Sequence, residues 1–379
     1  MKINCQKEDL LYGVQSVFKA ISTKNTLPIL GGIMLIAEND QLIFKATDLE
    51  IAIECIINVD VEQSGVVVVQ GKYFNEMVRN LPDGDVTLHS MDEKQINIIY
   101  GQSGKKAESS LNCFDPEEFP ALPEVTGEIS GNIPAEVFKR LVRQVSIAAA
   151  TDEIRPIFTG ILVDLKPQQI TMVATDTHRL AVGKGVWQGE GEGKFILPAR
   201  TMVEISRLLA EGDSSININI SKNQAHFCAK NITFTSMVIN GQYPNYQQVL
   251  PAENLYTSKT VIDRKQLMET LGRAAIFVGE NGKMKGNIAK LTWQNDNLSI
   301  VAGGADLGIL EEDIYALLEG EEVEASYNVR YLLDVLKVIN SEKIVMRLTG
   351  SLTPGIIMPD EVPDDESFLY LILPIRTTN

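Results

Sequence analysis

Six cations at a repeated interval are the residues of this 379-residue chain whose types and spacing could do chemistry. Lys72 and Arg79, Arg200 and Arg207, and Arg330 and Lys337 each lie seven residues apart, within QGKYFNEMVRNL, PARTMVEISRLL and NVRYLLDVLKVI. At about 100° per residue, seven residues return to within about 20° of the starting direction, so each pair shares one helix face. Phe74, Met77 and Leu81 fall on the opposite face. Paired cations on a solvent face hold phosphates by charge without reading bases. The plainer alternative is a solvated helix laced by local ion pairs, because Glu76, Glu204 and Asp334 occupy the same intervening position and can reach the cation on either side. Recurrence weighs against it: three equivalent helices point to one shared surface. Preceding helical stretches add Lys139, Arg140 and Arg143, then Arg264, Lys265 and Arg273.

Catalytic chemistry has one candidate. His178 stands beside Asp176 and Arg179 and is the natural general base in a chain whose other histidines are His89 and His226. No nucleophile elbow, HExxH or paired-carboxylate motif accompanies it, so no catalytic activity is expected. The loop GEGEGKFILP (189–198) resembles a phosphate cradle, but it lacks Ser or Thr after its lysine, carries two glutamates and leads into a strand. A flexible turn is the expectation there. Cys5, Cys55, Cys113 and Cys228 are scattered, without CxxC or histidines at metal spacing, so neither a disulfide framework, a metal site nor any cofactor is expected.

The elements that must position these residues recur with a fixed step. LIFKATDLEIAI (42–53) returns as ITMVATDTHRLAV (170–182) and, more worn, as LSIVAGGADLGIL (298–310); Ala46, Ala174 and Ala302 are spaced by 128 residues. Pro28 and Pro156 keep the same step. Three domains end to end are the simplest explanation, at 1–123, 124–251 and 252–379, each of ordinary domain size. Within each, a helix, strands, a second helix and further strands predict an α+β fold with two helices on one side of its sheets. The first unit reads as a helix over 8–20, strands over 33–37 and 42–47 across an Asn39-Asp40 turn, a strand over 66–70 leading into the helix at Lys72, and strands over 86–90 and 96–100. Helices over 135–147 and 264–276 open the other two units. Pro-rich links lie at 115–128 and 242–254. The net charge of −16 is the wrong sign for an ordinary nucleic-acid reader, so a mildly positive helical face within an acidic body is expected. MKINCQKEDLLYGV has no apolar core of signal-peptide length and no stretch approaches a membrane span, so a cytoplasmic protein is expected.

KNTLPILGGIML (24–35), ATDTHRLAV (174–182), QYPNYQQVLP (242–251), NVRYLLDVL (328–336) and YLILPIR (370–376), in order on a three-unit frame, resemble the bacterial DNA polymerase III beta subunit family, the DNA sliding clamps, over the whole chain. The resemblance implies three clamp domains per chain and a head-to-tail homodimer, a six-domain ring with helices inside and sheets outside. It implies a non-catalytic processivity factor that encircles double-stranded DNA without sequence preference. Its implied partners are the DNA polymerase III catalytic subunit, the clamp loader and other proteins with a clamp-binding motif.

By matching motifs, an apolar partner-peptide pocket between the second and third domains would be lined by Arg155, Phe158, Thr175, Thr177, His178, Arg179, Leu180, Pro244, Val249, Leu371, Leu373, Pro374, Ile375 and Arg376. Thr177 stands where the family often has glycine, and Leu373 and Ile375 replace common methionines. For the tail itself the alternative is a terminal edge strand buried on the third sheet. DNA contacts would come from Lys24, Lys72, Arg79, Lys139, Arg143, Arg200, Arg207, Arg330 and Lys337. The dimer joint would set Ile276 and Phe277 against AESSLN (107–112), with Leu111 as apolar contact and Lys105 or Lys106 near Glu311, Glu312 and Asp313. A scaffold that binds proteins but no nucleic acid shares the pocket and differs only at the inner helices.

Overall fold

In the computed structural model of the chain, Asn39 and Asp40 both adopt positive φ (50° and 55°) between antiparallel strands Gly32–Glu38 and Gln41–Thr47. That is the tight hairpin turn for which Asn and Asp are suited, since a short polar side chain tolerates the left-handed region. Asn295 and Asp296 repeat it at φ 50° and 55°, between Ile288–Gln294 and Asn297–Gly304. The structure describes residues 1–21, 27–102, 105–122, 127, 129–152, 154–209, 212–278, 287–304, 308–362 and 366–376.

Six α-helices are present among the described residues: α1 (Lys7–Val17), α2 (Gly71–Asn80), α3 (Ala135–Ser146), α4 (Ala199–Leu208), α5 (Arg264–Phe277) and α6 (Val329–Val338). Helix α1 is shorter than its periodicity predicts because the chain tightens into a 3-10 turn over Phe18–Ala20. The second helix of each repeat is amphipathic. In α2, Phe74, Asn75 and Val78 are buried while Lys72, Tyr73, Glu76 and Arg79 are exposed; in α6, Leu332, Val335 and Leu336 are buried while Arg330 and Lys337 are exposed. Truncating a fully buried ring such as Phe74 would cost about 3–5 kcal/mol, so this inward face is what holds each helix and fixes the direction of its cations.

The chain divides into two units, residues 1–135 with 204–238, and residues 136–203 with 239–379. The middle repeat is shared between them because sheets continue across the expected domain borders. In the first unit the strand order runs Ile129–Pro134, Ser215–Ile220, Gln224–Ala229, Ile232–Met237, Ile51–Asn58, Gln41–Thr47, Gly32–Glu38, Gly65–Gln70, Lys105–Phe114, Gln95–Gln102, Asp85–Asp92, Lys2–Gln6 and Asp60–Gln63. In the second it runs Gly193–Pro198, Gly160–Lys166, Gln169–Thr175, Arg179–Val186, Ser367–Ile372, Gly355–Pro359, Lys343–Leu348, Ser258–Asp263, Gly308–Gly320, Asn297–Gly304, Ile288–Gln294 and Val323–Asn328.

Each unit contains one inter-repeat seam with the same construction. Ile232–Ser236 pairs antiparallel with Ile51–Cys55, and Ser367–Ile372 pairs antiparallel with Arg179–Lys184. Strand Ser367–Ile372 is therefore interior, bonded on its other side to Gly355–Ile357. The expectation of a terminal edge strand is corrected here: the C-terminal strand is flanked on both sides and welds two repeats.

Candidate functional site

Thr-Asp at the end of the repeated strand builds the same turn at both seams. Thr47 Oγ1 donates to the Ile51 carbonyl (2.8 Å) and accepts from the Leu49 N–H (3.0 Å), while Asp48 Oδ1 accepts from the N–H groups of Glu50 and Ile51 (3.0 and 2.8 Å). At the second seam Thr175 Oγ1 donates to the Arg179 carbonyl (2.6 Å) and accepts from the Thr177 N–H (3.1 Å), and Asp176 Oδ1 accepts from His178 and Arg179 (2.9 and 3.0 Å). Leu49 and Thr177 both sit at φ 77°. A β-branched residue such as Thr177 is strained there. The incoming strand closes both turns alike: Met237 N–H donates to the Glu50 carbonyl and Leu373 N–H to the His178 carbonyl, each at 3.0 Å. His178 is exposed, and its backbone, not its ring, does this structural work.

Two equal backbones carry unequal floors. At the second seam Leu162, Val173, Leu180, Val182, Ile196, Ile356 and Leu371 form one buried apolar cluster, with Ile157, Ile239, Tyr243, Tyr246, Leu250 and Tyr256 packed against it. Following the strand registers, the corresponding places at the first seam are Met34, Lys45, Ala52, Glu54, Val68, His226 and Thr235. There Lys45 Nζ meets Glu54 Oε2 at 2.8 Å and Thr235 Oγ1 meets His226 Nδ1 at 3.0 Å. An apolar side chain laid on the second seam gains roughly 1.5–3 kcal/mol from burial. On the first it would strip water from an ion pair. Among the described residues, the wholly apolar set at these seven places belongs to the second seam.

Of the residues expected to line a pocket, Leu180 and Leu371 belong to this cluster. Leu180 and Leu371 are buried in the floor, opposite one another, and Phe158 is buried with its ring edge-on to Tyr243 at 6.3 Å. Val249 and Leu373, also expected to line it, are 55% and 38% exposed. Pro244 is exposed and lines, with Leu162, Ile196 and Tyr246, a cavity of about 420 Å³. Arg155 is exposed and its carbonyl accepts from the Phe158 N–H at 2.9 Å. Beyond Leu373 the chain passes through half-buried Pro374 and Ile375, whose N–H donates to the Ser326 carbonyl at 2.7 Å, to exposed Arg376.

Arg179 is the electrostatic centre of the groove. Its Nε donates to Asp176 Oδ2 and its Nη1 to Asp334 Oδ2, both at 2.8 Å, and its guanidinium lies 4.0 Å from the centre of the Tyr331 ring. Burial works against its charge, but the Tyr370 hydroxyl, Asp334 and Asp176 outweigh that and hold its pKa above the ordinary arginine value. Burial likewise raises Tyr370, whose hydroxyl donates to the Tyr331 carbonyl at 3.1 Å. Sequence reasoning missed Tyr331, Asp334 and Tyr370 as partners of Arg179, and only Asp176 had a signal, the repeated Ala-Thr-Asp.

Of the cations, Lys72, Arg79, Arg143, Arg200, Arg207, Arg330 and Lys337 are exposed and Lys139 is half-buried beside Glu136 (3.1 Å); Lys24 lies outside the described residues. Among the described residues, the expected pairing of the intervening carboxylate with its own helix is seen in α4. Glu204 meets Arg207 at 2.7 Å, whereas Asp334 is taken by Arg179 and Glu76 accepts through its carbonyl from Asn80. Arg143 Nη2 donates to Asn340 Oδ1 at 3.3 Å.

Among the described residues, the two longest strands are each paired on one side only over part of their length. Residues 105–112 pair on one side with Gln95–Gln102, and residues 308–315 on one side with Asn297–Gly304. Lys105 and Lys106 are exposed and Leu111 is half-buried on the first; Glu311 is exposed on the second, while Glu312 is held by Arg273 (2.7 Å). Ile276 is 70% exposed and Phe277 half-buried at the end of α5. Exposed Ile309 and Tyr315 on the second edge were missed, because alternation alone does not say which face of a strand is covered.

Three family models match the chain in order: the DNA polymerase III beta subunit N-terminal domain over residues 1–123, its central domain over 132–245 and its C-terminal domain over 247–376. The Beta sliding clamp of Bacillus subtilis (strain 168) is 33% identical, with all of both chains covered. That of Staphylococcus epidermidis (strain ATCC 12228 / FDA PCI 1200) is 31% identical over the same span. Among solved structures, the DNA polymerase sliding clamp from Bacillus subtilis superposes with a TM-score of 0.92 at 32% identity, covering 100% of each chain. The DNA polymerase III subunit beta from Pseudomonas aeruginosa does so with 0.90 at 28%, covering 99% of this chain and 100% of that one.

Proposed function

The chain belongs to the DNA polymerase III beta subunit family, and on that premise we propose that two copies join head to tail into a closed ring of six clamp domains around duplex DNA. The protein is a sliding clamp that tethers the polymerase to its template. It binds no cofactor, performs no catalysis of its own and works in the cytoplasm. The domains are 1–123, 124–251 and 252–379. Among the described residues no helix is long and apolar enough to cross a membrane.

The observation that carries the ring is the pair of open edges at 105–112 and 308–315. An unpaired edge is a template for another strand. Two different edges on one chain make a heterologous joint, which must either propagate or close. Lys105 and Lys106 on one edge face the charge of Glu311 and Asp313 on the other, with Leu111, Ile276 and Phe277 as apolar contacts. Lys24, Lys72, Arg79, Lys139, Arg143, Arg200, Arg207, Arg330 and Lys337 then line the hole. Individual phosphate contacts are weak and exchangeable, so topology retains the template while the contacts allow sliding.

The groove of Leu180, Leu371, Val249 and Leu373 takes a short peptide with a glutamine and apolar anchors, from the polymerase catalytic subunit, the clamp loader and other motif-bearing proteins. Arg155, Phe158, Thr175, Thr177, His178, Arg179, Pro244, Pro374, Ile375 and Arg376 complete it. The test is topological. Loaded protein should stay on circular duplex and be lost when the circle is cut; equal loss from both forms would leave a protein-binding scaffold as the better reading.

A further inference from the structure

Asp334 is placed to neutralise its own helix. It lies four residues after Arg330 and three before Lys337, a spacing at which a carboxylate reaches its neighbours across one helical turn. In α4 the equivalent carboxylate does so: Glu204 meets Arg207, three residues on, at 2.7 Å. In α6 it does not. The Asp334 carboxylate is held at 2.8 Å by Arg179, and Lys337 is exposed with no carboxylate partner among the described residues.

At the second seam the repeated turn ends on the arginine that holds this carboxylate. The residue that closes the Thr-Asp turn is Arg179 at the second seam and Ile51 at the first. An isoleucine cannot draw a carboxylate off a helix; an arginine fixed by Asp176 on one side and stacked on Tyr331 on the other can.

We propose that Arg179 is a positioning residue for DNA contact: by holding the Asp334 carboxylate on the pocket side of α6, it keeps Lys337 available to phosphates. Partner groove and DNA-facing helix then share one side chain. The inference rests on the clamp reading above.

The experiment measures association of the dimer with a labelled blunt duplex by fluorescence anisotropy across a salt series. Arg179→Ile, which copies the first repeat, should weaken association at low salt by about two- to fivefold, the range of an exposed ion pair. It should also reduce the salt slope by up to about 0.9, the share of one neutralised phosphate. Adding Asp334→Asn to that variant should restore both, because no carboxylate remains to quench Lys337. Asp334→Asn alone, which removes the carboxylate from this helix, should bind at least as tightly as wild type. A purely structural role for Arg179 would not be rescued by removing Asp334. The inference is overturned if Arg179→Ile leaves the slope unchanged, if Asp334→Asn does not rescue it, or if Asp334→Asn alone weakens binding. A wild type without salt-dependent association would overturn the clamp reading as well, whereas weaker binding in Lys337→Ala but not in Arg179→Ile would overturn this inference alone.

Discussion

Leu180 stands directly opposite Leu371 across adjacent strands, where the first repeat sets Ala52 opposite Thr235. That cross-strand pair and its neighbours make the second seam apolar where the first carries an ion pair and a Thr–His contact.

Peptide capture should therefore depend on the tail in a graded way. Removing 373–379 should abolish binding of a glutamine-anchored peptide ending in leucine and phenylalanine, with the thermal midpoint kept close to wild type. Leu373→Ala should weaken it by about 1–2 kcal/mol. A cut that also takes Leu371 and Ile372 should unfold the second unit, since both are buried in an interior strand. Isothermal titration read beside thermal melting checks all three, and wild-type affinity after the shorter cut would place the site elsewhere.

Dimer formation should fail when charge is set at the end of α5. Ile276→Asp is tolerated by the monomer because that side chain already faces water, yet with Phe277→Asp it would be buried unpaired in the joint. Light scattering should report monomers. A dimer mass in the double variant would remove this interface assignment.

Neutralising Arg79, Arg207 and Lys337 together should flatten the salt dependence of DNA association by up to about 0.9 in slope for each phosphate left unneutralised, with the dimer mass unaltered. An unchanged slope would move DNA binding off these helices.

Burial lowers the pKa of His226, which rests against Thr235 at the first seam. The native state thus favours the neutral ring. Below the ordinary value of 6.5 the unfolded chain takes up a proton that the native site refuses, so this contribution is full above about pH 6.5 and declines as pH falls toward the depressed native value. The thermal midpoint should drop more between about pH 7.5 and pH 5.5 in wild type than in His226→Gln. Identical drops in both would dismiss the seam as a source of acid sensitivity.

Whatever depends on neighbours in the chain was settled by the sequence alone. The step of 128 residues, the helix faces that carry Lys72 with Arg79 and Arg330 with Lys337, and the Asn-Asp hairpin turns follow from local periodicity and backbone preference. The Thr-Asp turn is of the same kind, since its bonds span two to four residues. The tertiary structure decided what depends on residues far apart. Leu180 became part of a groove floor because Leu371 and Ile356 arrived beside it, and its counterpart Ala52 did not because Thr235 and His226 arrived instead. Arg179 rather than Lys337 holds Asp334, and the edges at 105–112 and 308–315 stay open, for the same reason. The energy of an interaction is set by both partners and the water they exclude, and a linear pattern names only one of them.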